Sequence, residues 1–469
     1  VPINPVIQLD AIYGIDPREF QTFTATSGTV ESTGTMWKCS TGTSAFGYGV
    51  IRSNRVLRYR PGQGSVGRFT AMFDNAQAGV TLRAGLFSLE NALMIGTNGT
   101  QFGVLRQNGG KAPIYRLTVT GAAGGSENVT VTLNDVEFVV AVSATNIAAN
   151  VTTLGTSSYT GWRVEYSGTY INFLSESIGP MTGTFSVSSS GSLTGTMTQL
   201  QAGVANTNTW TPQSQFNLDK LDGTGPSKMV LDPTKLNVYQ IDFRWLGVGQ
   251  ITFGIENQGN GEMMGFHHIH YTNQNETPHL DNPSLKVGYV AASLGGTGTD
   301  VVVKGASMMG AIEGIIQPTS YPDSISASRS SLNSGGTYYH MLSLHNRVIL
   351  NNKINTREII LKSLTAGAVS AASTPIRILL YKNATFAANL EYAVYNETWS
   401  SAFTSVTQTT LNPASYKPIY QFMISPGAAQ TLDISNERIV VSPGDHVHIV
   451  LVGSGVISQG DVAINWLDD

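Results

Sequence analysis

The sequence predicts an all-β, multi-domain protein built from β-sandwiches. Apolar and polar residues alternate with period two along many short stretches, the spacing of strands with one buried face. Turn chemistry recurs between those stretches, and glycine alone contributes 50 of 469 residues, above an average of roughly 7%. Charge is sparse: Asp, Glu, Lys and Arg make up 12% of the chain, against about 25% in ordinary domains. Disorder needs low hydrophobicity with high net charge, and an apolar share of 41% with a net charge of −4 offers neither. The scattered glycines exclude collagen, and no Ala/Glu/Lys/Leu-rich stretch supports a coiled coil. At roughly 150 residues per domain the length predicts about three domains.

Residues 1–20 hold three prolines and little periodicity, and predict an extended arm. In VLRYR, Leu57 and Tyr59 share one face and Arg58 and Arg60 the other. PGQGSVG follows as a loop and RFTAMF as a strand, a hairpin pattern. From residue 115 the style changes. Val129, Val131 and Leu133 alternate with Thr130, Thr132 and Asn134. NIAANVTTL is the best short helix in the chain, and WRVEYSGTYINFLSE reads as two strands. SVSSSGSLTGT closes this unit as a Ser/Gly-rich seam. The strongest alternation follows, with Tyr239, Ile241, Phe243 and Trp245 on one face and Gln240, Asp242 and Arg244 on the other. An LGVG turn, a second strand through Ile251, Phe253 and Ile255, and a third through His270 make a meander with one buried face. QPTSYPDSISASRSS, residues 317–331, is the best domain boundary. Beyond it RVILNN, REIILKSL, IRILLYK, YQFMIS, ERIVVS and DHVHIVLVG predict a second sandwich or jelly roll. The expected division is an arm over 1–20, a sandwich over 21–114 plus 200–316, a small β-rich domain with one helix inserted at 115–199, and a C-terminal sandwich over 325–469.

Chemistry-bearing patterns are few. Gly62, Gly64 and Gly67 form a GxGxxG, but the strand pattern after it replaces the helix that a dinucleotide site requires. His267, His268 and His270 are a histidine cluster in which His268 and His270 face the same way, with Glu262 nearby in sequence. His446 and His448 repeat that spacing. Both pairs read better as half-polar sheet faces than as metal ligands, which come in threes or fours. Asp135 and Glu137 have the spacing of a glycosidase pair, but Asp135 falls in a turn, and Glu165 and Asp242 stand alone on their strands. No GxSxG elbow and no HExxH helix occurs. No catalytic, cofactor-binding or metal-binding residue is therefore assigned, no cofactor is expected, and the protein is not read as an enzyme. The sequons at Asn98, Asn128, Asn150, Asn275, Asn383 and Asn396 fit chance in so Asn- and Thr-rich a chain. Trp210, Trp245 and Trp399 could stack on sugar rings where exposed, and Trp245 alternates with core residues. The single cysteine, Cys39, excludes an internal disulfide. The start VPINPVIQLD lacks the basic and apolar regions of a signal peptide, and no apolar run reaches membrane-spanning length. Residues 52–116 carry eight Arg and one Lys against Asp74 and Glu90, a positive stretch in an acidic chain.

Two stretches carry a resemblance. VLRYRPGQGSVGRFTAMFD with ENALMIGTNGTQFGVLRQNGG, and NVYQIDFRWLGVGQITFGIENQGNGEMMGFHHIHYTNQNETPHLDNPSLKVGYV, resemble virion structural proteins of tailed phages and of large algal DNA viruses. In those a concanavalin-like sandwich carries an R-Y-x-P-G-Q loop, an F-G-V-L-R strand and a D-x-x-x-L-G-x-G hairpin, here Arg58–Gln63, Phe102–Arg106 and Asp242–Gly249. NVTVTLNDVEFVVAVSATNIAANV resembles small domains of phage tail and baseplate proteins. The resemblance spans roughly residues 45–315 and carries no site residues with it. It implies a structural role in the virion: a fibre, spike, tail or capsid-associated component that can present a host-attachment surface. The expected partners are further copies of the chain and other virion proteins. A host surface glycan is an additional candidate, while nucleic acid and membrane insertion are not expected. The arm over 1–20 would tether the protein to a neighbour, and the Arg-rich stretch would meet an acidic patch on another copy. A carbohydrate-binding adhesin and a polysaccharide-degrading enzyme on the same sandwich are the alternatives.

Overall fold

The computed structural model describes residues 2–295, 298–315, 320–332, 335–370 and 375–469. It is all-β in class, with several antiparallel sheets and, among the described residues, one α-helix. No helix is long and apolar enough to cross a membrane. By contacts the chain divides into two compact units, Val1–Lys111 with Val204–Gln317, and Ala112–Gly203 with Pro318–Asp469.

The first unit is a sandwich. Among the described residues one sheet has nine strands and the other seven. Strand Asn237–Phe243 lies between Ser65–Phe73 and Ile251–Glu256, and turns Tyr239, Ile241 and Phe243 into the core. From the facing sheet Leu82, Ala84, Leu86, Leu93, Ile95 and Val104 enter the same core. The register predicted for this strand holds, and Trp245 beyond its end is half-buried, its indole N–H donating to the Leu280 carbonyl at 2.9 Å. Gly67 sits where the sheets approach: a Cβ there would press on the Leu86 side chain at 2.8 Å. Three expectations change. VLRYR is not a hairpin arm, since only Leu57 bridges, to Leu285, and Ser65–Phe73 pairs elsewhere. Its alternation reflects burial of Leu57 and Tyr59 in an irregular segment. The N-terminal segment holds a strand, Ile3–Asp10, antiparallel to Ser307–Glu313, with Ile7 in the core. A partner surface is not needed to order it. The arginines of the 52–116 stretch are largely engaged within the chain: Arg52 covers the Phe23 ring, Arg106 the Tyr271 ring and Arg116 the Tyr170 ring.

In the second unit, residues 112–203 make a four-stranded and a three-stranded sheet around Leu117, Val129, Val131, Leu133, Leu154 and Phe173. The helix forms at Ile147–Gly155, where the sequence places it; Asn146 caps it by accepting from the Ala149 N–H at 2.8 Å. The Ser/Gly-rich stretch is not a seam: Phe185–Ser189 and Thr194–Gln201 are strands in different sheets, separated by a turn. Residues 320–469 form a sandwich of a five- and a seven-stranded sheet among the described residues, closed over Leu361, Ile378, Leu380, Ile449 and Trp466. Of the proposed boundary, residues 317–319 lie outside the described residues, and Pro322–Leu332 is a strand paired with Ile457–Asp468. Its outward serines hide an alternation that turns Ile325 and Ala327 inward.

The two parts of this unit are joined along strand Trp162–Ser167. Tyr166 and Ser167 donate to the carbonyls of Leu390 and Tyr392 at 2.9 and 3.0 Å. The Glu165 carboxylate accepts from the backbone N–H groups of Val348 and Ile349 at 2.8 and 3.1 Å and from Asn172 at 2.9 Å. Burial pushes its pKa up against the pull of Arg347 and these bonds.

Candidate functional site

Neighbouring strands Tyr338–Asn346 and His446–Val452 bring four histidines to one face of the seven-stranded sheet. Their register sets His345 opposite His446 and Ser343 opposite His448. A bulge between His340 and Leu342 turns His340 to the same face, where strict alternation would send it to the other. The Ser343 Oγ lies 2.6 Å from His340 Nε2 and 2.6 Å from His448 Nδ1, and His340 Nδ1 lies 2.7 Å from the Thr407 carbonyl. The imidazoles of His345 and His446 stack at 3.9 Å, and His446 Nδ1 meets the Tyr392 hydroxyl at 2.7 Å. The Phe386 ring sets its edge against His340 and His448, with centroids 4.8 and 5.0 Å apart. Burial lowers the pKa of His340 and of His446 to about 4, and drives those of His345 and His448 well down, so all four are neutral at pH 7. Beside them opens a cavity of about 380 Å³, walled by His446, His448, Phe386, Asn383 and Tyr392 among others. The sequence shows His446 and His448; His340 and His345 escape it because their strand is buried on both faces and has no alternation to read.

The other flagged residues stay apart. Gly62 and Gly64 lie in a loop and Gly67 in a strand, with no helix after them. His267 is packed on Phe216 and Phe253, and desolvation lowers its pKa to about 4. His268 and His270 share a face with ring centroids 5.5 Å apart, while Glu262 pairs with Asn260. Among the described residues no three His, Cys, Asp or Glu side chains gather into a metal-binding group. Asp135 accepts from the Thr184 N–H, Glu137 stands on an exposed strand, and Asp242 accepts from Gln240. Asn150 is buried, bonded to Ala123 and Ala144, and closed to modification. Trp399 is exposed and Trp210 half-buried.

A second feature concerns assembly. Strand Val136–Val142 ends the three-stranded sheet and, among the described residues, pairs only with Glu127–Leu133. Its sequence, VEFVVAV, carries one charge, no lysine and no proline. Val136 and Val139 are 54% and 62% exposed. No lysine, proline or bulge guards its open row of backbone groups, and Glu137 is its one charged side chain.

No protein family and no curated protein matches the chain. Among solved structures, the carbohydrate recognition domain of Emp46p in a metal-free form aligns over 66% of this chain and 98% of its own, at 8% identity and a TM-score of 0.26. The exoplasmic/lumenal domain of VIP36, Ca2+/Man3GlcNAc-bound, aligns over 68% and 92% at 8% identity and a TM-score of 0.26. The legume lectin-like domain from Entamoeba histolytica aligns over 66% and 98% at 11% identity and a TM-score of 0.23.

Proposed function

We propose that the protein is a structural component of a virus particle, a fibre, spike, tail or capsid-associated protein that assembles through copies of itself and with other virion proteins. The observation that carries this reading is the open apolar edge Val136–Val142. An exposed apolar edge that carries so little charge is a template for another strand. The virion assignment draws its support from the resemblance of Arg58–Gln63, Phe102–Arg106 and Asp242–Gly249 to virion sandwich proteins. Low charge suits a rigid building block that meets its neighbours through neutral surface. The carboxylates that an enzyme on this sandwich would use are separately engaged or isolated, so no observation favours the enzyme. Quantitative mass spectrometry of purified particles from the source tests the assignment. The chain is expected in many copies per particle; its absence from particles, with recovery in the free protein fraction, would contradict the reading.

A further inference from the structure

The histidine cluster is complete only while its rings are neutral. The Thr407 carbonyl can only accept, so His340 Nδ1, 2.7 Å away, carries the hydrogen. His340 Nε2 then accepts from the Ser343 hydroxyl, and Ser343 Oγ accepts from His448 Nδ1, each at 2.6 Å. A protonated imidazole has a hydrogen on both nitrogens and needs two acceptors. Among the described residues, His448 Nε2 and His345 Nδ1 are buried without a hydrogen-bond partner, so neither ring can carry both hydrogens and satisfy them. Charge is equally unwelcome. His345 stacks on His446 at 3.9 Å, Arg347 and Arg163 repel a charge on His345, and Arg329 repels one on His340. Asp445 favours a charge on His446, but it is already bound to Lys382 at 2.8 Å. A buried, unpaired charge is costly, so these rings can protonate only by reaching water.

One segment packs over all four rings. Phe386 sets its ring against His340 and His448, and Tyr392 sets its ring against His345 and His446, with centroids 5.3 and 5.6 Å apart. Residues 384–392, between strands Ile376–Lys382 and Ala393–Val394, form neither strand nor helix. Thr385, Ala387, Ala388, Asn389 and Glu391 along it are exposed. The 380 Å³ cavity has Phe386, Leu390 and Tyr392 on one side and His446 and His448 on the other, so the packing beneath the segment is incomplete. The same segment holds residues 112–203 in place. The Leu390 carbonyl accepts from the Tyr166 hydroxyl, and the Tyr392 carbonyl accepts from the Ser167 hydroxyl and from the Gly168 N–H at 3.1 Å. We infer that residues 384–392 are an acid-released cover: as the pH falls they lift from the sheet, open the four imidazoles to water and let go of Tyr166, Ser167 and Gly168. The cover works the same way in a monomer. Its rings refuse protons only while covered, so the closed form is complete above about pH 6.5, the ordinary histidine value, and loses ground as the pH falls. Glu165, whose carboxyl burial pushes up, acts the other way, one carboxyl against four imidazoles.

Amide hydrogen exchange of the full chain at pH 7 and pH 5, corrected for the intrinsic pH dependence of exchange and read by mass spectrometry, tests the cover. The reporters are the N–H groups of Ala387, Ala388 and Glu391, which donate to residues 407–410, and of Gly168. Their protection is expected to fall by about a hundredfold or more at pH 5, because several rings whose protons were refused take them up on opening. They are expected to exchange ahead of strand Ile376–Lys382, which stays closed in a local opening. Protection unchanged at these amides, or lost only in step with that strand as global unfolding gives, would overturn the proposal. The double variant His446→Gln, His448→Gln removes two of the four titrating rings, and is expected to shrink the acid response at the same amides by about tenfold or more. A folded variant with the full response would overturn the role of the rings, and the wild-type profile stands as the test if the variant fails to fold.

Discussion

The hydroxyl of Ser343 is the hinge of the histidine cluster, because it alone supplies a donor to one imidazole and an acceptor to another. Ser343→Ala leaves His340 Nε2 and His448 Nδ1 buried and unpaired. At about 1–3 kcal/mol for each orphaned group, the variant is expected to lose roughly 2–6 kcal/mol in denaturant unfolding. A loss too small to measure would mean that the two imidazoles do not rely on this hydroxyl. In the first unit, Phe243 is fully buried between two sheets, and Phe243→Ala is expected to cost about 3–5 kcal/mol by the same assay. An unchanged midpoint would contradict its place in the core. The two positions differ in how plainly the sequence announces them. Phe243 belongs to a clean alternation of Tyr239, Ile241 and Phe243 and could be placed at once. His340 reaches the cluster only through a bulge, and a bulge leaves no mark on residue periodicity. Half of the candidate site was therefore legible, as His446 and His448, and half was not.

At the scale of elements, the edge strand Val136–Val142 carries the proposed assembly. Val139 points outward, so Val139→Lys is expected to change monomer stability by no more than about 0.5 kcal/mol. Its charge should block strand addition, shifting native mass spectra from oligomer to monomer. An oligomer undisturbed by the lysine would move the interface elsewhere. Antiparallel self-pairing centred on Val139 sets Glu137 opposite Ala141 and Val136 opposite Val142, with no like charges apposed. Elements with one wet face were legible in the sequence. Asn237–Phe243, Glu127–Leu133 and the Asn146-capped helix are examples. Elements that break that pattern were not. Tyr338–Asn346 is buried on both faces, Pro322–Leu332 disguises its alternation with serines, and Ile3–Asp10 contains a proline at a bulge. In VLRYR the alternation is real but the strand is absent, since burial alone produced the pattern.

At the scale of the molecule, histidine burial sets the response to acid. Of the eight histidines, His267, His268, His279, His340, His345, His446 and His448 all have pKa values lowered chiefly by desolvation. As pH falls below about 6.5, the unfolded chain takes up protons that the folded chain refuses. Stability is thus complete above that pH and declines steadily toward pH 4, where His267, His279, His340 and His446 titrate in the folded state. Glu165 and Asp242, whose pKa values are raised chiefly by desolvation, act in the opposite direction. The melting temperature is expected to fall by many degrees between pH 7 and pH 5, and a flat profile there would contradict neutral buried imidazoles. On the proposed function the chain assembles with itself. Sedimentation velocity of the full-length protein at pH 7 over a wide dilution series tests it most directly. One discrete oligomer is expected, persisting on dilution and giving way to monomer in Val139→Lys; a wild-type protein that sediments as a monomer at every concentration would contradict self-assembly.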